Sequence, residues 1–560
     1  MNTAMVVAGG GFSGLPVLRA LHDIGWGVVI ADSVLNSPNR FEAEAFHHIP
    51  EATDFEAFRT AIKAVARHHR VGAIFPTTIY DLPAVATLKP ELTAMGIRVF
   101  VSDLELIDIL NDKLLTTSAA LQAGLPMLPI VDPLRHDYSY PLIGKPRFGW
   151  GSVGMLKAGS QRDYQQLVPE HGAADDYLWQ RKLATFIEWS VDFALAPDGQ
   201  CSRLVYRQRL RAVAGFAVMS EITHAPEVEK IALQTAEWLG RHGGCGLFNI
   251  QILEEPDGAL WLSDLNPRPG TSSVCALAAG LNLVSFLVGP QKNVGPARHG
   301  TVVRTLDERF FPKLEHDVGA VVLDLNDAII SEKSWMSSKL QRMTMSLHRL
   351  IDPEHASAFR LEALRLIDEG SWDNLIETAA KRSGLPDGPA RELMNLWPKI
   401  CPEVLVAHQD AIAFLHMLRT RGFPVVLLSD DPAELRRQKL AALPPDLRFD
   451  RVVPTDDTSA PKPDPEAFLV VARQLSMKPE SLLMIGTSPW RDGLGAVRAG
   501  YAGALIIERA GNRSNPSRKL FEREFPDAAT KIHWLHSLYG VDRMLNDAAT
   551  QVPSRQVGSI

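Results

Sequence analysis

The sequence predicts a multidomain protein mixing α/β and α+β architecture, and three observations carry that prediction. The chain has 560 residues, more than one ordinary core serves, since domains hold roughly 100–200 residues. Its first hundred residues alternate short apolar runs with amphipathic stretches, the rhythm of a parallel sheet with crossover helices. A second strand and helix series begins at Ala320–Leu323, after a polar, proline-bearing stretch at 311–317, and runs to about Ile507.

Composition narrows the classes. Hydrophobic residues at 46% and charged residues at 22% lie near soluble globular averages, which excludes general disorder. The formal net charge of −7 offers no broad attraction for nucleic acid or an acidic membrane, so small molecules are the expected partners. Cys201, Cys245, Cys275 and Cys401 form no CxxC pair, against a disulfide framework or zinc knuckle. The longest apolar run, around Val274 to Val288, contains Asn282 and falls short of the roughly 20 residues a membrane span needs. Met1 to Gly14 has no signal-peptide pattern, so a cytoplasmic location is expected, and a homo-oligomer is compatible.

In the first segment the strand-like runs are Met5–Ala8, Val28–Ala31, Ala73–Pro76 and Arg98–Val101, with Leu18–Ile24 and Phe58–Ala66 between them. Gly9, Gly11 and Gly14 make GxGxxG directly after the first run, and Asp32 ends the second. Those are the parts of a Rossmann-like dinucleotide unit, in which glycines admit a pyrophosphate to a helix N-terminus and the acid binds a ribose. The same glycines serve a nucleotide-free unit that needs only a tight strand-to-helix turn. On these residues both readings stand.

From about Leu106 to Phe311 the pattern is mixed, with strand-like segments near 142–145, 190–195, 247–253 and 260–265, which suggests an α+β unit. Lys113, in Asn111-Asp112-Lys113, and Lys145, ending the strand Pro141–Lys145, can each set an ammonium beside phosphate oxygens. A lone lysine is more often a solvated surface group. After Lys145 comes Pro146-Arg147-Phe148-Gly149-Trp150-Gly151-Ser152-Val153-Gly154, a small-residue loop that suits triphosphate oxygens or a simple hairpin. Gln251, Asp264 and Asn266 fall on or after two strands, and the last two share a face in extended structure. One carboxylate with amide oxygens suits magnesium held together with phosphates, and Arg268 suits charge on a transferring phosphoryl group. An Asx-rich strand end is the competing reading.

The ordered set Asn111-Asp112-Lys113, Lys145-Pro146-Arg147 with the glycine loop, Glu188 in Ile187-Glu188-Trp189-Ser190-Val191-Asp192, and Asp264-Leu265-Asn266-Pro267-Arg268 resembles the ATP-grasp superfamily, in its branch similar to carbamoyl-phosphate synthetase and amino-acid ligases. The resemblance covers roughly residues 1–310. It implies that Lys113, Lys145 and the loop residues Gly149, Gly151, Ser152 and Gly154 contact ATP phosphates, that Gln180, Arg181, Lys182 and Leu183 form the adenine hinge, and that Glu188 holds the ribose. Gln251, Asp264 and Asn266 would hold magnesium, with manganese a second candidate ion; the family commonly has glutamate where Asp264 stands. Gly9, Gly11, Gly14 and Asp32 then pass to architecture or substrate binding. The implied reaction joins a small carboxylate to an amine through an acyl phosphate, with the loop Phe148–Gly154 closing as a lid. Arg209 and Arg211, two apart, suit a substrate carboxylate or a solvated edge strand.

In the second half Val321-Val322-Leu323 ends at Asp324, where a carboxylate can act as a nucleophile at the carboxyl edge of a parallel sheet. With Ser429, Lys462 in Pro461-Lys462-Pro463-Asp464, and Asp492, this series resembles the haloacid-dehalogenase superfamily, with a helical cap over about 331–410. The resemblance implies aspartates where this chain has Asn326 and Thr487, so a weak, altered or lost hydrolase is expected, with an active phosphatase as the alternative; Asp327 is one residue out of place. The expected organisation is a Rossmann-like domain over 1–105, an ATP-grasp domain over 106–312, a haloacid-dehalogenase-like domain over 316–510 and an extension over 511–560. A non-enzymatic nucleotide-binding scaffold or an NAD-binding protein is the contrasting reading.

Overall fold

The computed structural model describes residues 2–133, 140–149, 154–171, 174–213, 216–289, 297–305, 313–347, 351–372, 374–402, 405–444, 447–455, 460–509 and 518–545. Of the expected loop, Gly151 and Ser152 lie outside the described residues, as does the tail 551–560. The chain divides into two compact units, Met1–Asp307 and Glu308–Ile560.

The first unit opens with β1 (Thr3–Val7), β2 (Gly27–Asp32), β3 (Ala45–His48), β4 (Ala73–Pro76) and β5 (Arg98–Val99), a parallel sheet in the order β3-β2-β1-β4-β5. Both of its faces are covered, so β1 and β2 read as continuous apolar runs. On one face the helix Phe55–His68, capped by Asp54 accepting from Ala57 N–H, packs Phe58 and Ile62 against Met5 and Val29. On the other, Leu18 and Leu21 of the helix Leu15–Asp23 share a core with Val284, Phe286 and Leu287. Asn282 Nδ2 donates to the Ala20 carbonyl at 2.8 Å and to Asp23 Oδ2 at 2.9 Å. Packing therefore crosses the boundary expected at 105/106.

Next come β6 (Leu142–Pro146), β7 (Leu156–Ala158) and β8 (Tyr177–Arg181), an antiparallel sheet in the order β7-β6-β8. A six-stranded sheet follows, of β9 (Ile187–Leu195), β10 (Val205–Val213), β11 (Phe216–Ile222), β12 (Gly246–Glu254), β13 (Leu260–Asn266) and β14 (Gly300–Val303), in the order β13-β12-β9-β10-β11-β14. β10 lies between β9 and β11, so the edge-strand reading of Arg209 and Arg211 is corrected: the alternating charges sit on an interior strand whose last four residues are exposed.

The second unit is a parallel sheet of β15 (Ala320–Leu323), β16 (Val425–Ser429), β17 (Arg451–Pro454), β18 (Leu482–Gly486), β19 (Gly503–Ile507) and β20 (Ile532–Leu535), in the order β17-β16-β15-β18-β19-β20. β20 pairs with β19 beyond residue 510, and Phe521 is fully buried, so the sheet continues into the segment expected to be an extension. Between β15 and β16 the helices Glu332–Leu347, Pro353–Asp368, Leu375–Arg382 and Asp387–Leu396 gather around a core of their own, including Phe359, Leu366 and Leu393. No helix among the described residues is long and apolar enough to cross a membrane.

Candidate functional sites

The glycine turn after β1 is closed on itself. A Cβ at residue 14 would lie 2.1 Å from the Gly9 carbonyl oxygen, so glycine is required for the turn to pack. Asp32, buried, accepts from Gly10 N–H at 2.7 Å and Val34 N–H at 2.8 Å, while Asn39 Nδ2 donates to the carbonyls of Gly9 (2.9 Å) and Gly11 (2.5 Å). The acid that a ribose would need is already engaged in holding the turn. This arrangement favours architecture over dinucleotide binding.

A second constellation forms where β6, β12 and β13 meet the start of the helix Lys113–Gln122. Asp112 caps that helix through Leu114 N–H at 2.9 Å and pairs with Arg147 just after β6, through Nε at 3.1 Å and a short Nη2 contact. Burial raises the Asp112 carboxyl, but Arg147 and the helix N–H groups more than offset it and hold it below the usual carboxylate range. The clasp ties the two lysine segments together. Lys113 Nζ donates to the Gly149 carbonyl at 2.6 Å, and Lys145 Nζ, largely buried, donates to Ser263 Oγ on β13 at 3.2 Å.

Asp264, next to Ser263, is the carboxylate whose charge bears on Lys113 and on Arg268. Burial lowers the Lys113 ammonium, Asp264 opposes that and Lys145 adds to it; burial likewise lowers the Arg268 guanidinium, with Asp264 opposing. Gln251 on β12 stands directly opposite Asp264 in register, and Asn249 opposite Asn266. Gln251 and Asp264 thus share one register position of the β12–β13 pair, and Asn266 lies two residues further along β13. Among the described residues no group of three or more His, Cys, Asp or Glu side chains could hold a metal ion. This donor set has one carboxylate and two amides, which fits magnesium only when phosphate oxygens complete its shell.

Other expected residues are engaged elsewhere. Gln180, buried on β8, donates to the Leu128 carbonyl at 2.8 Å, and its Oε1 has no hydrogen-bond partner among the described residues. Arg181 pairs with Glu255 (2.6 and 3.0 Å), and Lys182 N–H donates to the Pro141 carbonyl at 2.9 Å; Leu183 is buried. Glu188 pairs with Arg209 from the neighbouring strand, so Arg209 is drawn to the position that the resemblance gives to the ribose, and Arg211 is exposed.

The sequence reading missed a buried network beside this region. Arg207 Nε donates to Asp192 Oδ2 at 2.6 Å; Asn249 Nδ2 donates to Asp192 Oδ1 at 2.7 Å, and Ser273 Oγ donates to the same oxygen. Asp192 was visible in the quoted motif, but nothing in the sequence pairs it with Arg207.

In the second unit Asp324, Ser429 and Gly486 end three adjacent parallel strands at their carboxyl edge. The buried Lys462 Nζ donates to Asp324 Oδ1 and to Asp492 Oδ1, both at 2.7 Å, and to the Leu428 carbonyl at 3.4 Å. Asp492 Oδ2 accepts from Thr487 and Ser488 N–H at 3.1 and 3.0 Å, and a Cβ at residue 486 would lie 2.3 Å from that oxygen, so Gly486 permits its approach. Burial pushes the Asp324 carboxyl up to about 6, with Lys462 opposing. Ser429 Oγ accepts from Asp431 N–H at 3.2 Å.

Asn326 Nδ2 donates to Asp431 Oδ1 at 3.1 Å, and its Oδ1 accepts from Lys439 Nζ at 2.7 Å. Lys439, fully buried, also reaches Asp431 at 3.1 Å and Glu332 at 3.6 Å. Asp430 accepts from Thr455 Oγ1 at 2.7 Å and pairs with Arg491. Asp327 is turned to structure: with φ 57°, it accepts from Glu332 N–H at 3.0 Å, and its carbonyl accepts from Arg509 Nε at 2.8 Å. Of these, Asp430, Asp431, Lys439, Glu332 and Arg491 were not singled out from sequence; the acidic pair following Ser429 was the available signal.

Residues 300–500 match the haloacid dehalogenase-like hydrolase family, a family of hydrolases. The phosphoserine phosphatase of Thermus thermophilus is 32% identical over 109 residues, covering 20% of this chain and 43% of that one. The formate-dependent phosphoribosylglycinamide formyltransferase of Burkholderia thailandensis is 21% identical over 299 residues, covering 50% of this chain and 72% of that one. Among solved structures, N5-carboxyaminoimidazole synthetase from Staphylococcus aureus complexed with ADP is similar with a TM-score of 0.44 at 15% identity, covering 55% of this chain and 82% of that one. The chain spans about half the length of the first curated relatives it matches, 43% to 52%. The fold is mixed α/β with a parallel sheet in each unit, and the stretch 300–500 is haloacid-dehalogenase-like.

Proposed function

We propose that the chain is an ATP-dependent carboxylate–amine ligase that forms an amide through an acyl phosphate and releases ADP and phosphate. The observation that carries this reading is the gathering of Lys113, Lys145 and Arg268 around Asp264, while their own hydrogen bonds go to neutral oxygens of Gly149, Ser263 and Pro269. Cations partnered by neutral groups in a partly dry site are poised for an anion.

In this reading Lys113, Lys145 and the backbone of Gly149 and Gly154 hold phosphate oxygens. Gln180 to Leu183 receive the adenine, and Glu188 the ribose, with Arg209 fixing its carboxylate. Gln251, Asp264 and Asn266 would hold magnesium or manganese, which supplies charge neutralisation on the phosphates when bound. A substrate carboxylate oxygen attacks the terminal phosphorus, the P–O bond to ADP breaks, and Arg268 meets the charge on the phosphoryl group. The amine then attacks the acyl carbon, expels phosphate and loses a proton. The partners are small carboxylates and amines, which the protein would join in the cytoplasm. The C-terminal unit is read as a hydrolase of altered activity, because Asn326 stands where a proton-donating acid is expected.

ADP release should be measured from the intact chain with ATP and magnesium, across pooled amino acids and other small carboxylates with amine acceptors. Substrate-dependent ADP that disappears in Lys145→Ala is the expected result. ADP production intact in that variant would mean the phosphate site is misassigned.

A further inference from the structure

The C-terminal site has a buried carboxylate poised as a nucleophile and no free acid at the position beside it. Asp324 ends the central strand and shares the Lys462 ammonium with Asp492. Two residues on, Asn326 is an amide whose two ends are both occupied, by Asp431 and Lys439. The groups packed around it are held mainly in ion pairs: Asp431 by Lys439, Asp430 by Arg491, Asp492 by Lys462. Glu332 reaches Lys439 at 3.6 Å from the first helix after β15, and the Asp327 carboxylate is taken by Glu332 N–H.

Such a site can form a bond to phosphorus but cannot readily hand a proton to a departing alkoxide, help worth roughly 10²–10⁴-fold where it exists. A carboxylate needs none, since its conjugate acid has a pKa of about 4. The surplus of carboxylates on this edge, Asp324, Asp430, Asp431, Asp492 and Glu332 against Lys462, Lys439 and Arg491, also disfavours the multiply charged leaving group of a phosphoanhydride.

We propose that the C-terminal site cleaves acyl phosphates, with Asp324 as nucleophile and a carboxylate as leaving group. An Asp324 oxygen attacks phosphorus, the P–O bond to the acyl oxygen breaks, and the carboxylate departs with the bonding pair. Water then attacks the phosphorus of the aspartyl phosphate, the bond to Asp324 breaks, and the water's protons stay with the released dihydrogen phosphate. The balance is one acyl phosphate and one water to one carboxylate and one dihydrogen phosphate. The proposal rests on the reading of Asp324 as a nucleophile and stands apart from the ligase reading.

The test incubates the full chain, in magnesium-containing buffer without ATP, with acetyl phosphate, glycerol phosphate or pyrophosphate, and measures phosphate release. A borohydride quench followed by peptide mass spectrometry locates any aspartyl phosphate as homoserine. The expected result is acetyl phosphate turnover at least 100-fold above that of the other two, lost in Asp324→Asn, with the trapped product at residue 324. Asn326→Asp should narrow the preference for acetyl over glycerol phosphate by about 10² or more. Glycerol phosphate turnover within tenfold of acetyl phosphate, lost in Glu332→Gln, would overturn the proposal by making Glu332 the acid. Turnover undiminished in Asp324→Asn, or absent altogether, would overturn the nucleophile assignment itself.

Discussion

Two carboxylates, Asp264 in the first unit and Asp324 in the second, stand in opposite electrostatic surroundings. Around Asp264 the cations Lys113, Lys145 and Arg268 find neutral hydrogen-bond partners, so positive charge is left over for a ligand. Around Asp324 the cations Lys462, Lys439 and Arg491 are each bound into ion pairs, and the surplus is negative. A site whose cations hydrogen-bond, among the described residues, to neutral oxygens is built to receive charge; one whose ion pairs are closed holds its nucleophile in place and limits what can enter. The buried lysines Lys145 and Lys462 thus do different work in the two units.

The largest effect that tests this contrast is on stability. Lys462→Ala leaves Asp324 and Asp492 facing each other without their shared cation, and the C-terminal unit should lose about 3–5 kcal/mol, read from its transition in chemical denaturation. Lys145→Ala should reduce substrate-dependent ADP release by about 10²–10³-fold while costing less than about 1 kcal/mol of stability, because its partner is a serine hydroxyl. Comparable destabilisation by both variants would erase the distinction.

A smaller effect is expected from pH. Burial, with Arg509 adding and Asp410 opposing, pushes His408 in the C-terminal unit down to about 4. A histidine with a depressed folded pKa is charged more readily when unfolded. Its contribution to stability is therefore complete above about 6.5 and is lost as pH falls toward 4. Denaturation midpoints over that window should fall more steeply in the parent than in His408→Gln; equal slopes would remove His408 from the account. Smaller still, Glu188→Gln should raise the KM for ATP by about tenfold, the scale of one charge-assisted hydrogen bond, with little change in kcat.

Much of the framework was legible because burial on both faces leaves an unbroken apolar signal. β1, β2, β4, β15 and β16 fall on runs visible in the sequence. β3, Ala45–His48, gives no such run, because three of its residues are only partly buried and His48 is exposed. β10 misleads for a related reason: its first three residues are buried and the last four exposed, so its arginines look like one solvated edge. At the sites, Lys113, Lys145 and Lys462 stand out in short motifs beside prolines, glycines or acids. Lys439 does not, since in Leu435-Arg436-Arg437-Gln438-Lys439 it reads as one more charge on a helix surface. Only the fold brings it to Asn326 and Asp431. The boundary expected at 105/106 is not a packing boundary, because apolar helix faces carry no label of their partners, and Leu21 shares a core with Leu287 across most of the unit's sequence.

The central claim is that the partly buried cations around Asp264 form a polyphosphate site. Isothermal titration of the intact chain with ATP and magnesium, beside Lys145→Ala, tests it most directly. The account predicts saturable binding in the parent that weakens by at least tenfold in the variant. Equal binding by the two proteins, or none by the parent, would contradict it.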